Sequence, residues 1–436
     1  MEIDPAPRGK QRIQEGKSGM NIVGFSEGAR GEFAGIISVP SILASAAAEG
    51  HNAVLVLCGQ IPPGKERYVV SNPEQARSRR EGKGSFGAIC LRTWSSWLFN
   101  AAIFWRFRKL VRDADFVSLH SLYSFPVLAG YLLAKFYGKP YGIWPHSVLA
   151  PVQRGISVRK KLIYNGLFVN RMLRDATVIF YTARGEREET EDLKLRQLSV
   201  VIPDGFDGDE FAELAEKGRF RERFLGGHKG PLILFLARIH AKKSPDVLIQ
   251  AMGLLIKERP EARLAIVGPP DPPAFMEKVR EWIQEAGVEG HTIITGNANA
   301  QMRLEAFTDA DMYVLPSQAE NFGFSVFEAM ACGVPVVVSN AINYASEIAE
   351  SGAGFSLQRT PEAFASAMKQ LIDDPARRSA MGARGREFSR RYPVKDTGRK
   401  LANTIDSIVR QKQPPPEVFP IRGSNPTTIA SESERI

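Results

Sequence analysis

The chain has 436 residues, 44% hydrophobic and 24% charged, with a formal net charge of +9. That length exceeds what one hydrophobic core usually serves and predicts two domains of comparable size. The composition excludes a disordered or membrane-integral protein, and three scattered cysteines, Cys58, Cys90 and Cys332, exclude a disulfide framework or structural zinc site and point to a reducing, cytoplasmic setting.

Residues 1–19 mix charges of both signs without an apolar core segment, which argues against a secretory signal. With 411–436, rich in Pro, Ser and charge, they are expected to be flexible tails. No stretch supplies the roughly 20 consecutive apolar residues of a membrane-spanning helix. Between the tails, short Val- and Ile-rich runs alternate with longer amphipathic stretches, the pattern of βαβ units. The first half carries NIVGF from Asn21, AVLVL from Ala53, FVSL from Phe116, YGIW from Tyr141, VIFY from Val178 and SVVIP from Ser199. The second carries LILFL from Leu232, LAIVG from Leu264, TIIT from Thr292, MYVLP from Met312, PVVVS from Pro335 and GFSL from Gly354. The stretch PDGFDGDEF from Pro203 has the Pro, Gly and Asp density of a linker. The expected class is α/β, with two Rossmann-like doubly wound parallel-sheet domains at 20–205 and 206–392. A C-terminal helix, 393–410, is expected to pack back on the first domain. In such sheets ligands bind outside the carboxyl ends of the strands.

Chemistry-bearing residues cluster after those strands. Gly28, Gly31 and Gly35 in EGARGEFAG follow the first strand and let backbone approach a ligand, although the loop is no GxGxxG fingerprint. His146, in WPHSVLAP, follows YGIW, and is expected to face Glu320 across the interdomain cleft; a plainer structural role stands beside that reading. Arg238 follows LILFLA, and Lys243 lies five positions on; two cations at one strand end suit a diphosphate, unless they are simply solvated. In PSQAENFGFSVFEAMACGVP, Pro316–Phe322 reads as a loop and Gly323–Cys332 as a helix closed by Gly333. Its free N–H groups and positive dipole end are aimed at the cleft. Glu320 and Glu328 bracket this turn. They suit sugar hydroxyls, which donate hydrogen bonds as a phosphate does not. Glu328 is also open to a reading as a carboxylate complementing the helix dipole. The DGD of Asp207–Asp209 reads as the start of a helix in preference to a metal motif.

These motifs and their order resemble the family 4 glycosyltransferases of the GT-B fold, from about Asn21 to about Ile408. The carriers are the glycine loop, PHS with His146, VIPDGFD from Val201, ARIHAKKS with Arg238 and Lys243, and the Glu-x7-Glu string ENFGFSVFEAMACGVPVV. The resemblance implies a retaining hexosyl transfer from a nucleotide-diphosphate sugar, UDP- or GDP-linked, without metal or other cofactor. Arg238 and Lys243 would neutralise the diphosphate, and Glu328 would hold the ribose. Glu320 would contact the transferred sugar, with the amides of Phe322, Gly323, Phe324 and Ser325 beside sugar and phosphate. His146 would sit near the reacting sugar, and Gly28 and Gly31 near the diphosphate or acceptor. The base would lie around the strand ending at Ile294 and Thr295, beside Gly296 and Asn297. Three departures stand out: Ser244 where the family often has Gly, Asp204 where it often has Asn, and a loosened glycine pair. Retention usually calls for a nucleophile, and Glu320 is the one carboxylate well placed for it; front-face attack, with the leaving phosphate accepting the acceptor's proton, is expected instead.

WSSWLFNAAIFWRFRKLVR from Trp94 and RGISVRKKLIYNGLFVNRMLR from Arg154 mix large apolar side chains with Arg and Lys. They suit an anionic bilayer surface, or else cover the first sheet with their bases in water. A basic loop is expected in ARSRREGK from Ala76. The expected acceptor is a glycan or lipid-linked intermediate of bacterial polysaccharide or lipopolysaccharide assembly, met at the inner face of the cytoplasmic membrane. A nucleotide-sugar epimerase and a catalytically silent nucleotide-sugar-binding module are the rival readings. Nucleic-acid binding would rest on charge alone, and no nucleic-acid partner is expected.

Overall fold

The computed structural model describes residues 19–28, 38–61, 66–93, 97–155 and 158–412. Gly31, Gly35, residues 1–18 and residues 413–436 lie outside the described residues. The first half builds an eight-stranded sheet from β1 (Asn21–Glu27), β2 (Asn52–Cys58), β3 (Arg80–Glu81), β4 (Gly84–Leu91), β5 (Phe116–His120), β6 (Tyr141–Trp144), β7 (Val178–Tyr181) and β8 (Leu198–Val201). The strand order is β3-β4-β2-β1-β5-β6-β7-β8, parallel except for the β3–β4 pair. The second half builds a six-stranded sheet from β9 (Leu232–Leu236), β10 (Arg263–Val267), β11 (Thr292–Gly296), β12 (Met312–Leu315), β13 (Val336–Ser339) and β14 (Gly354–Leu357). Its order is β11-β10-β9-β12-β13-β14, with every pair parallel.

Helices cover both faces of each sheet, so the central strands are buried on both sides and read in the sequence as unbroken apolar runs. On one face of the first sheet, Val23, Phe25, Val117 and Ile143 meet Phe107 and Leu128 from the helices Ala102–Arg112 and Phe125–Phe136. On the other, Ile42 and Leu43 of the helix Ser38–Ala48 pack with Trp144, Phe180, Leu401 and Ile405. The last two belong to the helix Val394–Asp406, so a helix that follows the second domain in the chain closes the first domain's core. It approaches closely because residue 398 is glycine: a Cβ there would lie 2.4 Å from the Ser45 carbonyl carbon.

The chain crosses between the halves twice, side by side. Phe206 N donates to Tyr392 O at 2.7 Å, and Thr397 Oγ1 donates to Pro203 O at 2.8 Å. Phe206 itself is buried in the second core.

Two local expectations are corrected. GSFGAICL forms β4, an inner strand whose glycines dilute the apolar run; Gly87 is needed because a Cβ would meet Ala76 at 2.7 Å. ARSRREGK is no open loop: it spans the end of the helix Pro73–Ser78 and the turn into the β3–β4 hairpin. The DGD segment forms the short 3-10 turn Gly208–Phe211. No helix among the described residues is long and apolar enough to cross a membrane.

Candidate functional site

The carboxyl ends of β9 and β12 are neighbours, and the loops after them are stitched together. Gln318 N donates to Lys242 O at 2.7 Å, and Tyr313 Oη donates to Leu236 O at 3.1 Å. Tyr313 Oη also lies 2.7 Å from Ser325 Oγ, tying the second residue of the next helix to the same frame.

That helix runs Phe324–Ala331, shorter at both ends than the expected Gly323–Cys332. Gly323 takes φ 76 as its N-cap residue and supplies no side-chain cap, so the helix opens with backbone donors unspent on a side chain. The Phe322 side chain belongs to the core of the second domain. The whole residue is 1% exposed, and its ring stacks on Phe327 at 4.0 Å.

Lys243 Nζ pairs with Glu320 Oε1, and Ser317 Oγ donates to the same oxygen at 2.5 Å. Burial alone would raise the Glu320 pKa; Lys243, Ser317 and Lys242 outweigh it and hold the carboxyl below its ordinary value. Arg238 Nη1 pairs with Asp271 Oδ2 at 2.7 Å, so the two expected diphosphate cations each hold a carboxylate. Lys242, absent from the sequence expectations, belongs to the same group. Burial chiefly lowers its pKa, Glu320 opposes this, and Lys243 and Arg238 add to the lowering. Burial chiefly lowers the pKa of His240, Asp271 opposes this, and Arg238, Lys242 and Lys243 add to the lowering; its Nδ1 accepts from Lys242 N at 2.9 Å and shapes the turn.

Glu328 sits one helical stretch deeper, against Arg303 Nη1 at 3.2 Å. Burial raises its pKa against the pull of Arg303. Each of the two glutamates thus has its own cation, Lys243 for Glu320 and Arg303 for Glu328. Gly296 ends β11 with φ 74, and Asn297 beyond it is exposed. The strand end is drawn in by Gly268 N, which donates to Gly296 O at 2.8 Å. Gly268 is a site glycine whose signal was the LAIVGPP run. With φ 140, and a Cβ that would lie 1.9 Å from Ala237 O, no other residue fits without a backbone shift.

From the first half, Gly28 follows β1 where a Cβ would lie 2.5 Å from Gln60 O. His146 and Ser147 occupy left-handed φ values of 50° and 61°, a strained turn after β6. Buried Glu186 secures it, its Oε1 accepting from Ser147 N at 2.6 Å and its Oε2 from Thr182 N at 2.7 Å. His146 does not bond to Glu320. Its Nε2 lies 3.2 Å from His120 Nδ1, and the contact across the halves is made by its neighbour, Ser147 Oγ donating to Asn321 Oδ1 at 3.1 Å. Tyr344 Oη donates to Thr182 O at 2.8 Å as a second tie. Desolvation pushes the His146 pKa down to about 3, so its ring is neutral.

Arg238, Lys242, Lys243, Glu320 and the N-terminus of the helix Phe324–Ala331 thus gather at the adjoining carboxyl ends of β9 and β12, and the His146 turn is tied to the same loop through Ser147 and Asn321. The arrangement can neutralise a phosphorylated group and accept hydrogen bonds from hydroxyls beside it.

The model for glycosyl transferases group 1 matches residues 216–388, and that for the glycosyl transferase 4-like domain matches 37–205. The chain is 30% identical over 200 residues to a D-inositol 3-phosphate glycosyltransferase of Kineococcus radiotolerans, covering 42% of this chain and 46% of that one. It is 28% identical over 256 residues to a GDP-mannose-dependent alpha-(1-6)-phosphatidylinositol monomannoside mannosyltransferase of Mycolicibacterium smegmatis, covering 56% and 66%. The matches therefore span about half to two-thirds of the length of these curated relatives. In fold, it is similar to Anabaena HepE in complex with UDP and glucose, with a TM-score of 0.69 at 18% identity over 89% of this chain and all of that one. With both halves matched in order and two parallel-sheet domains present, the chain belongs to the family 4, group 1 glycosyltransferases of the GT-B fold.

Proposed function

We propose that this protein transfers a sugar from a nucleotide-diphosphate donor, UDP- or GDP-linked, to a glycan or lipid-linked acceptor with retention of anomeric configuration. The observation that carries the reading is the Lys243–Glu320 pair beside the uncapped helix at Phe324. The diphosphate would take Arg238, Lys243 and the amides of Gly323, Phe324 and Ser325, the charge neutralisation a metal would otherwise supply. Glu328 would receive the ribose hydroxyls, and the base would lie near Gly296 and Asn297. Glu320, held anionic, suits accepting hydrogen bonds from the sugar and is poorly matched to proton transfer near neutral pH. The acceptor oxygen would then bond to the anomeric carbon on the face the diphosphate leaves, a departing phosphate oxygen taking its proton. His146 and the Gly28 turn would face the sugar and acceptor from the first domain.

A lipid-linked acceptor is supported by the surface of that domain. The helix Ala102–Arg112 buries Ile103, Phe107, Leu110 and Val111 and turns Arg106, Arg108, Lys109 and Arg112 outward with Trp105, which is 64% exposed. Trp97 meets Tyr164 at 6.0 Å, bringing the second basic stretch alongside, where Leu162 and Ile163 are 71% and 68% exposed. We read this face as peripheral contact with an anionic bilayer at the site of polysaccharide or lipopolysaccharide assembly. Flotation with anionic liposomes at low salt tests it; a protein that stays at the bottom refutes it.

The reaction is tested by a thermal-shift screen against UDP, GDP, ADP and their sugars, with and without EDTA, followed by product analysis. Stabilisation by one nucleotide, indifferent to EDTA and lost in Lys243→Met, is expected. Stabilisation by a nucleotide sugar with no product formed would favour a silent module, sugar inversion at carbon 2 without transfer an epimerase, and no shift with any nucleotide would refute the donor reading. Near-full activity in Glu320→Gln would rule out a covalent role for that carboxylate.

A further inference from the structure

The first domain holds a buried chain of polar groups that no site role yet uses. Ser118 on β5 points its Oγ to His120 Nε2 at 3.0 Å, and His120 Nδ1 lies 3.2 Å from His146 Nε2. Ser118 and His120 are fully buried. The two imidazoles lie 5.5 Å apart at 24°, and His120 rests on the Trp144 ring at 5.6 Å and 15°, which stacks in turn on Phe180. The rings cannot rotate without breaking this pile.

Hydrogen placement along the chain follows by elimination. A buried hydroxyl must donate its hydrogen, and among the described residues the partner of Ser118 Oγ is His120 Nε2. Nε2 therefore accepts. Desolvation, reinforced by His146, keeps His120 neutral; a neutral imidazole that accepts at one nitrogen carries its hydrogen on the other. His120 Nδ1–H then donates to His146 Nε2, and the neutral His146 must hold its own hydrogen on Nδ1. That nitrogen makes no hydrogen bond among the described residues, and His146 is partly exposed where Ser118 and His120 are sealed.

We infer that Ser118 and His120 are positioning residues that lock His146 in the Nδ1–H tautomer, so that it presents a hydrogen-bond donor to an oxygen of the transferred sugar. The inference deepens the proposed transfer reaction and rests on it for the identity of the ligand, but not for the tautomer. His146 so fixed has no lone pair to offer the acceptor hydroxyl and does not serve as the base. A sugar bearing a hydrogen-bond acceptor at that position is selected over one that can only donate.

Nitrogen-15 NMR of histidine-labelled protein at neutral pH reads the tautomer directly, without turnover. Both His120 and His146 are expected as Nδ1–H. An Nε2–H signal for His146 in the wild-type protein overturns the proposal, whatever the enzyme's activity. In Ser118→Ala the His146 signal should become a mixture of tautomers, with kcat about tenfold lower and the donor KM little changed; Ser118→Thr, which restores the hydroxyl, should recover both. An unchanged tautomer and kcat in Ser118→Ala would refute the positioning role. If instead the tautomer is as expected and no nucleotide sugar is turned over by the wild type, it is the transfer reading that fails.

Discussion

Lys243→Met isolates the ion pair at the centre of the site. Lys243 and Glu320 expose only 16% and 11% of their side chains, so the substitution leaves a nearly dry carboxylate without its cation. Breaking such a pair by removing one partner costs about 3–5 kcal/mol. In a unit the size of one of these halves, that corresponds to a fall of roughly 10 °C in its unfolding transition. The pH dependence follows from the direction of the shift. In the wild type Glu320 is held below its ordinary pKa, so its contribution is present above the unfolded-state value and is lost as pH falls through the folded one. Without Lys243, burial dominates and the folded pKa rises. The group then destabilises the fold increasingly as pH climbs, so the deficit should be small near pH 4 and full at pH 7. The double variant Lys243→Met, Glu320→Gln should regain about 2 kcal/mol, because no charge is left stranded. Scanning calorimetry of the wild type and the two variants at both pH values, with and without a nucleoside diphosphate, is the assay. Ligand at 100 times its Kd should add about 2.7 kcal/mol to the wild type and little to either variant. A single variant unfolding within about 2 °C of wild type at pH 7 would refute the reasoning.

Asp204 is buried, accepts a hydrogen bond from Ser38 Oγ at 3.0 Å, and has its pKa pushed up to about 7, mainly by desolvation. Its raised folded pKa means stability present at low pH is lost as pH rises through 7; Asp204→Asn should therefore stabilise the protein by up to about 4 kcal/mol at pH 8 and leave it little changed at pH 4, as read by urea unfolding. Arg303→Met strips Glu328 of its cation at 3.2 Å and should cost about 3 kcal/mol, with nucleotide affinity by calorimetric titration falling alongside; unchanged affinity would remove Glu328 from the ribose role. Gly268→Ala drives a Cβ into Ala237 O at a φ of 140°, and thermal unfolding should show a loss of at least about 2 kcal/mol.

The parts legible in the sequence are those governed by local pattern. Strands such as VIFY and MYVLP are buried on both faces, so each announces itself as an apolar run, and all six strands of the second sheet fall where such runs lie. β4 escapes because Gly84 and Gly87 interrupt its run, and those glycines answer to neighbours distant in sequence, the His51 carbonyl and the Ala76 methyl. The candidate site divides the same way. Arg238, Lys243, Glu320 and Glu328 follow strands and stand out by residue type, yet their partners Asp271 and Arg303 are settled only by how elements distant in sequence meet. His120 shows the limit most clearly. It ends β5 as His146 follows β6, and the rule that chemistry gathers at strand ends flags both alike. What distinguishes them is depth: adjacent strands in register bring the two rings together, with one sealed beneath and the other left at the cleft. A strand-end histidine thus acquires its role from the residue behind it, and in this chain that residue is Ser118, an inconspicuous serine in the middle of an apolar strand.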